Sequence, residues 1–369
     1  MKTAIVHDWL NGMRGGEKVL EALLELYPDS TIYTLFHERG KVSPRIEASG
    51  IITSPLNDLP GIYNHYRKLL PLFRAAVASF DLSEFDLVIS SSHAVANWAR
   101  VPNAVHVSYC HTPMRYLWDA EQDYAMTGLE RMVFHGLRRS LRDWDVECSR
   151  RAGYFVANSA FVRERIRRYY GRDAAVIHPP VDTNFFMPAS ETTRSDFYLC
   201  AGALVPYKRV DVVVNAFNEL GRRLVIAGAG PELKQLRQIA GPGVEFRGWV
   251  SDAELLHLYR SARAFVFAAR EDFGMMPVEA MASGCPVLAF AAGGALETVR
   301  NKVSGLFFEQ QSVNAIGRAV ERFEEMSWPV ERVRSEVEKF SRETFKKQIK
   351  QFIDGKLRQT PSPAAASRP

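Results

Sequence analysis

The chain has 369 residues, of which 47% are hydrophobic, 24% charged and 11% aromatic; the length exceeds a comfortable single core, so two domains are expected, and the composition is that of an ordinary soluble globular protein. A net charge of +5 and a pI near 9.0 are mildly basic, which suits anionic partners without demanding one. Cys110, Cys148, Cys200 and Cys285 have no paired spacing, which argues against a disulfide framework or a zinc site and for a reducing compartment. The apolar run in Met1–Asp8 is too short for the core of a signal peptide and no stretch is long enough to cross a bilayer, so the protein is expected in the cytoplasm.

In chain order, short β-rich apolar runs each lead into a helical pattern. The first series is Thr3 to His7, Leu87 to Ser90, Ala104 to Tyr109, Tyr154 to Ala157 and Ala175 to His178. The second is Phe197 to Ala201, Arg223 to Ala227, Val244 to Phe246, Ala264 to Phe267 and Pro286 to Phe290. Strand and helix alternating in this way predict parallel sheets with right-handed crossovers, and two series predict an α/β protein of two doubly wound, Rossmann-like domains.

Gly15 and Gly16 follow the first run and open a helix from Glu17 to Leu26, bringing backbone N–H groups to its start. Tyr63 to Arg74 mixes aromatics, aliphatics and cations, as would a segment at a membrane interface or one partly in the core. Arg131 to Arg172 holds eleven arginines against four acids, either as solvated helix faces or as a surface for anions. Pro179 to Pro188 enforces extended backbone near the midpoint and reads as the hinge. These signals place an N-terminal domain at 1–188 and a C-terminal domain at 189–345. A helix at 346–358 is expected to pack back toward the N-terminal domain, ahead of a disordered Pro/Ser/Ala tail at 359–369.

The second series carries the chemistry. Glu271-Asp272-Phe273-Gly274-Met275-Met276-Pro277-Val278-Glu279 sets two carboxylates eight positions apart across a glycine turn. Pro277 lacks an N–H and so is placed to open a helix, which Gly284 is placed to close. Glu279 is then expected in the first helical turn and Glu271 on the loop leading in, beside N–H groups that welcome an anion. Carboxylates that accept from hydroxyls, next to a helix end suited to phosphate, describe a site for a nucleotide-linked sugar. Asp143-Trp144-Asp145 imitates a D-x-D metal motif, but residues two apart on a helix point to different sides, and nothing in the chain calls for a metal.

Beside this segment stand His7-Asp8 with Gly15-Gly16-Glu17-Lys18, Tyr109-Cys110-His111-Thr112-Pro113, Asn158-Ser159, His178-Pro179-Pro180-Val181-Asp182, Leu204-Val205-Pro206-Tyr207-Lys208, Gly228-Ala229-Gly230-Pro231 and Gly293-Gly294. In this order and spacing the motifs resemble those of GT-B glycosyltransferases of family 4 over roughly residues 1 to 354. The resemblance implies two Rossmann-like domains facing a cleft. It further implies that Lys208 and Arg209 meet a departing diphosphate, lysine as a compact charge and arginine as a fork. Arg209 alternatively pairs with a surface acid, and the family places a further arginine where this chain has Ala203.

By the same resemblance Gly228 and Gly230 shape the nucleotide cleft, and Glu279 accepts the ribose hydroxyls. Trp249 and Val250 wall the base, with core packing the alternative for Trp249. Glu271 binds donor-sugar hydroxyls as a positioning group rather than a nucleophile, with Gly274, Met275 and Met276 offering backbone N–H groups. His111 contacts the sugar from a strand end, Gly15 and Gly16 approach the diphosphate or sugar, and Gly293-Gly294 turns the chain beside the donor ahead of Glu297.

The pattern most resembles bacterial mannosyltransferases of surface-polysaccharide (O-antigen or exopolysaccharide) assembly. The implied activity is retaining, metal-independent transfer of a hexose, with GDP-mannose the expected donor, to a lipid-linked glycan acceptor on a polyprenyl diphosphate. Such an enzyme would sit on the anionic cytoplasmic face of the inner membrane and bind no nucleic acid. A nucleotide-sugar epimerase on the same fold, or an inactive nucleotide-sugar-binding scaffold, is the alternative.

Overall fold

The fold is described from a computed structural model over residues 1–118, 128–189 and 194–359, without the side chains of Arg67, Lys68, Tyr116 and residues 128–135. All but the first residue of the expected tail therefore lies outside the described residues, as does the side chain of Arg131. The chain divides into two units, one of Met1–Pro180 together with the segment beginning at Phe345, the other Val181–Thr344.

In the first unit, β1 (Thr3–His7) is buried along its whole length. Its Ala4 and Val6 join the apolar cluster on one side of the sheet and Ile5 the cluster on the other, as a period of two requires. Burial continues through β2 (Thr31–Thr34), β4 (Leu87–Ser92) and β5 (Val105–Cys110), which carry polar as well as apolar side chains into the interior. With β3 (Gly50–Thr53), β6 (Tyr154–Ala157) and β7 (Ala174–Val176) they form a parallel sheet in the order β3-β2-β1-β4-β5-β6-β7. The order reverses between β1 and β4, the place where doubly wound sheets bind ligands. The chain returns to this unit through the Arg342–Gln359 helix, whose Phe345, Ile349 and Ile353, four apart, are buried with Val19, Leu20 and Leu23.

The second unit repeats the plan with β8 (Tyr198–Ala201), β9 (Leu224–Ala227), β10 (Val244–Gly248), β11 (Phe265–Phe267), β12 (Val287–Phe290) and β13 (Gly305–Phe308), ordered β10-β9-β8-β11-β12-β13 and parallel throughout. Its reversal lies between β8 and β11. Leu199, Val225, Phe265 and Val287 face one side and Tyr198, Leu224, Val266 and Leu288 the other. Val181 to Phe186 belong to this unit: Val181 N–H donates to Phe340 O at 2.9 Å, and Phe186 is buried.

The two doubly wound parallel sheets are those the alternating pattern predicts. β2, β3 and β13 are additional, each a run of four residues whose hydrogen bonds come from a parallel neighbour distant in sequence. β4 continues to Ser92 rather than ending at Ser90, because pairing with β5 carries the backbone on through polar residues. β7 ends at Val176, short of His178. The helix expected to open at Pro277 begins at Met275, behind Gly274 at φ +83°, so Pro277 is its third residue and Glu279 lies in the second turn rather than the first. Gly284, at φ +81°, follows its end in the left-handed region, as a closing glycine does. The helix expected from Glu17 begins two residues earlier, at Gly15.

Candidate functional site

In the first unit the carboxyl ends of β1, β4 and β5 bring together His7, Ser91, His93 and His111. Ser91 Oγ lies 3.1 Å from His7 Nδ1 and 2.9 Å from His111 Nε2. On the far side of His7, Nε2 is 3.7 Å from Glu17 Oε1 at the start of the Gly15–Leu26 helix, and Glu17 Oε2 accepts the Arg14 N–H at 2.8 Å. Gly16 packs against both rings: a Cβ there would lie 3.4 Å from His7 Cε1 and 3.7 Å from His111 Nε2. Asn158 Nδ2 donates to His111 O at 2.9 Å, which fixes the backbone beyond β5. Burial pushes the His111 imidazole down to about 3, with the neighbouring His93 and His7 adding to the effect.

Asp8 holds the turn after β4. Its buried carboxylate accepts the backbone N–H groups of His93, Ala94, Val95 and Ala96 at 2.6–3.0 Å and lies 2.9 Å from His93 Nδ1. Burial alone would raise its pKa, but the charge and hydrogen bond of His93 outweigh it and hold the carboxyl far below the usual range. His93 responds in the opposite sense: burial disfavours its charge and Asp8 restores it, so its pKa is raised.

Asp145, in the Gly128–Arg151 helix, joins the same loops from below. It accepts from Trp98 Nε1 and Trp118 Nε1, both at 2.7 Å, and from Tyr170 Oη at 2.8 Å, so its two oxygens are occupied by three donors. Arg138 and Arg142 donate to Leu117 O at 3.0 and 2.8 Å, and Arg165 to Pro113 O at 3.4 Å. Arg172 donates to the carbonyls of Ser149, Ala152 and Gly153 at the helix's C-terminal end, where a cation is favoured. Among the described residues, Arg138, Arg142, Arg165 and Arg172 thus bind backbone of their own unit, while Arg139, Arg163, Arg167 and Arg168 are exposed. In the Tyr63 to Arg74 stretch, Tyr66, Leu70 and Phe73 are buried in the core and Leu72 and Arg74 are exposed.

The second unit places Lys208 and Glu271 together at its own reversal point. Lys208 Nζ is 3.0 Å from Glu271 Oε1, with the side chains 14% and 20% exposed. Burial opposes the lysine's charge, but Glu271 outweighs it and the pKa is raised. The ammonium lies over Gly202 after β8, where a Cβ would meet it at 2.8 Å. The loop bearing Glu271 is gripped from β12: Gly294 N–H donates to Glu271 O at 2.9 Å, and at Gly293, φ +63°, a Cβ would come within 2.3 Å of that carbonyl. Gly228 and Gly230 pack so closely on the neighbouring loop that Cβ atoms would lie 1.9 Å from Gly202 O and 2.2 Å from Leu204 O. Gly228 N–H itself donates to Gly248 O at 2.6 Å, so that group is already engaged by backbone.

At the start of the Met275–Ala282 helix, the N–H groups of Met275 and Met276 have no intrahelical acceptor. Glu279 is buried on the same helix. Arg209 stands at φ +53° with its guanidinium 3.2–3.3 Å from both oxygens of Asp211, which is the surface-acid pairing. Trp249 is 78% exposed, which excludes core packing, while Val250 packs against the core cluster that includes Phe265 and Phe267.

His7, Asp8 and Glu17 stand in the sequence only within motifs, Asp145 only in the rejected D-x-D triplet, and Ser91 and His93 in none. The available signal was Ser90-Ser91-Ser92-His93, a polar run directly after an apolar strand.

Two Rossmann-like parallel sheets, each with charged and polar side chains gathered at its reversal point, define the GT-B architecture. Residues 15–185 match the model of Glycosyltransferase Family 4 and residues 182–355 that of Glycosyl transferases group 1. Together these take in the chain from 15 to 355, and the protein belongs to the GT-B glycosyltransferases of group 1 and family 4.

Among curated relatives, the GDP-mannose-dependent alpha-(1-6)-phosphatidylinositol monomannoside mannosyltransferase of Mycobacterium tuberculosis is 33% identical over 192 residues, 44% of this chain and 50% of the relative. The chain thus matches about half the length of that relative. Mannosylfructose-phosphate synthase of Agrobacterium fabrum is 25% identical over 309 residues, 73% of this chain and 68% of that protein. In the crystal structure of Anabaena HepE in complex with UDP, 100% of that chain superposes on 96% of this one with a TM-score of 0.73 at 18% identity.

Proposed function

We propose that the protein is a retaining hexosyltransferase that moves mannose from GDP-mannose to a lipid-linked glycan in surface-polysaccharide synthesis, without a metal. The observation that carries the reading is the Lys208–Glu271 pair, a half-buried cation and carboxylate locked side by side over Gly202 beside a helix N-terminus. Lys208, with Arg209 released from Asp211, stabilises the departing diphosphate, whose charge grows in the transition state. Glu271 orients the sugar through its hydroxyls, and the phosphate oxygen takes the acceptor proton. Glu279 accepts from the ribose, Trp249 offers an exposed face to the base, and the N–H groups of Gly274, Met275 and Met276 meet the donor.

In the first unit, Gly15 and Gly16 serve the diphosphate or sugar and His111 contacts the sugar. The mannosyl donor is favoured by the Mycobacterium relative, a GDP-mannose-dependent mannosyltransferase, and by the mannosylfructose-phosphate synthase of Agrobacterium. No helix among the described residues is long and apolar enough to cross a membrane. Access to a lipid-linked acceptor is therefore assigned to peripheral binding at the cytoplasmic face of the inner membrane, through the exposed arginines of the 131–172 segment. Calorimetry with GDP, UDP and ADP, followed by transfer assays with GDP-mannose and UDP-glucose and NMR of the product anomer, tests the reading. Preference for UDP removes GDP-mannose as donor, and an inverted anomer removes retention.

A further inference from the structure

The first unit contains a continuous polar chain, Glu17–His7–Ser91–His111, whose geometry constrains where protons sit. Ser91 Oγ lies between His7 Nδ1 at 3.1 Å and His111 Nε2 at 2.9 Å. A hydroxyl has one proton and two lone pairs, so it donates to at most one of these nitrogens. The direction is chosen at the far end. His7 Nε2 is buried without a hydrogen-bond partner among the described residues and faces Glu17 Oε1 at 3.7 Å. At that distance a nitrogen lone pair is repelled by a carboxylate and an N–H is attracted. Burial opposes ionisation of Glu17, but His7 and His93 overcome it and hold its pKa below the ordinary value.

We infer that Glu17, His7 and Ser91 are positioning residues that set the tautomer of His111. While His7 is neutral it carries its proton on Nε2, toward Glu17, and its Nδ1 accepts the Ser91 hydroxyl proton. Ser91 Oγ can then only accept, so His111 is protonated at Nε2 and presents a lone pair at Nδ1. Removing the Ser91 hydroxyl removes the acceptor that favours the Nε2 proton of His111. His111 itself stays neutral, since burial lowers its pKa to about 3.

Among the described residues, the charged and titratable groups facing the chain are Asp8 after β1, Arg14 and Glu17 at the helix start, His93 after β4 and Tyr109 on β5. His93 lies 6.3 Å from the His7 ring and 6.4 Å from the His111 ring, centroid to centroid, and is committed to Asp8. The consequence for transfer rests on the sugar-contacting role proposed for His111: a sugar hydroxyl would meet an acceptor at Nδ1.

Long-range proton–nitrogen NMR on the full chain labelled with nitrogen-15 in histidine, without substrate, reads the tautomer of both rings. The expected result is His111 protonated at Nε2, with His7 likewise protonated at Nε2. Ser91→Ala is expected to release His111 into a mixture of tautomers and Ser91→Thr, which keeps the hydroxyl, to retain the Nε2 form, so loss through unfolding is distinguished.

A His111 protonated at Nδ1 in the wild type, or protonated at Nε2 equally in Ser91→Ala, overturns the relay. In the transfer assay, donor kcat/KM is expected to fall about tenfold in Ser91→Ala, one hydrogen bond's worth, and to be kept in Ser91→Thr. A tautomer change seen by NMR with unchanged kcat/KM leaves the relay standing and overturns the role of His111 at the sugar.

Discussion

At the scale of single residues, the second unit's site depends on one ion pair and the glycines that grip it. Lys208→Ala is expected to lower kcat about 100- to 1000-fold while changing donor KM far less, because the charge it meets develops in the transition state. Steady-state kinetics checks this, and a raised KM with normal kcat would make Lys208 a ground-state binder. Glu279→Ala is expected to weaken free nucleotide and nucleotide sugar equally, by about 1–3 kcal/mol, since the ribose is common to both. Calorimetry with each ligand decides, and unchanged nucleotide affinity removes the ribose contact. Gly293→Ala forces a Cβ to within 2.3 Å of Glu271 O at φ +63°. Its expected effect is a loss of about 1–3 kcal/mol in stability and a raised donor KM, as the Glu271 loop shifts. A melting curve and donor titration on the same preparation test it.

Among the elements, the Gly128–Arg151 helix is the brace of the first unit's loops, through Asp145. Burial raises the Asp145 pKa to about 6, against the lowering effect of its three hydrogen-bond donors. A carboxyl whose folded pKa is raised binds more protons folded than unfolded between the two values. Its contribution to stability is therefore present at low pH and is lost as pH climbs from about 4 to about 6, by about 3 kcal/mol for a shift of this size. Urea unfolding at a series of pH values should show this slope in the wild type and a flatter one in Asp145→Asn. Equal slopes would mean that the three donors, rather than burial, set its titration. The arginines that grip Leu117 and Pro113 carbonyls belong to the same brace, which is why an arginine count alone overstates the cations left for a membrane.

For the molecule as a whole, the first unit is completed only when the chain returns to it. Ile349→Ala is expected to cost about 2–5 kcal/mol, the range for a buried isoleucine, and ending the chain after Thr344 should open the first unit to protease while the second unit's fragments persist. Digestion followed by mass spectrometry distinguishes this from uniform loss. Arg139, Arg163, Arg167 and Arg168 are expected to draw the protein to anionic vesicles, at about 1 kcal/mol each near the surface and less as salt screens them. Co-sedimentation at low and high salt, with neutral vesicles as control, checks this; salt-insensitive recovery in the supernatant would leave these arginines a solvated surface.

Much of the architecture was legible in residue order. Runs such as Leu224 to Ala227 must be buried on both faces, and such strands alternating with helical patterns have few solutions other than doubly wound parallel sheets. Gly284 declared a helix end because few other residues take its backbone conformation without cost. The short strands β2, β3 and β13 were not legible, because four residues carry too little periodicity and their hydrogen bonds come from partners far along the chain.

The same limit governs the sites. Sequence motifs pointed to Lys208, Glu271 and Glu279, but that Arg209 is turned to Asp211, that Trp249 stands in solvent and that Gly293 holds the Glu271 carbonyl are matters of contact. Ser91 between two imidazoles, and Asp145 beneath two indoles and a phenol, join residues up to 84 positions apart. Only the tertiary structure could decide those, because a buried polar group takes its meaning from the partner that satisfies it, and that partner is chosen by packing.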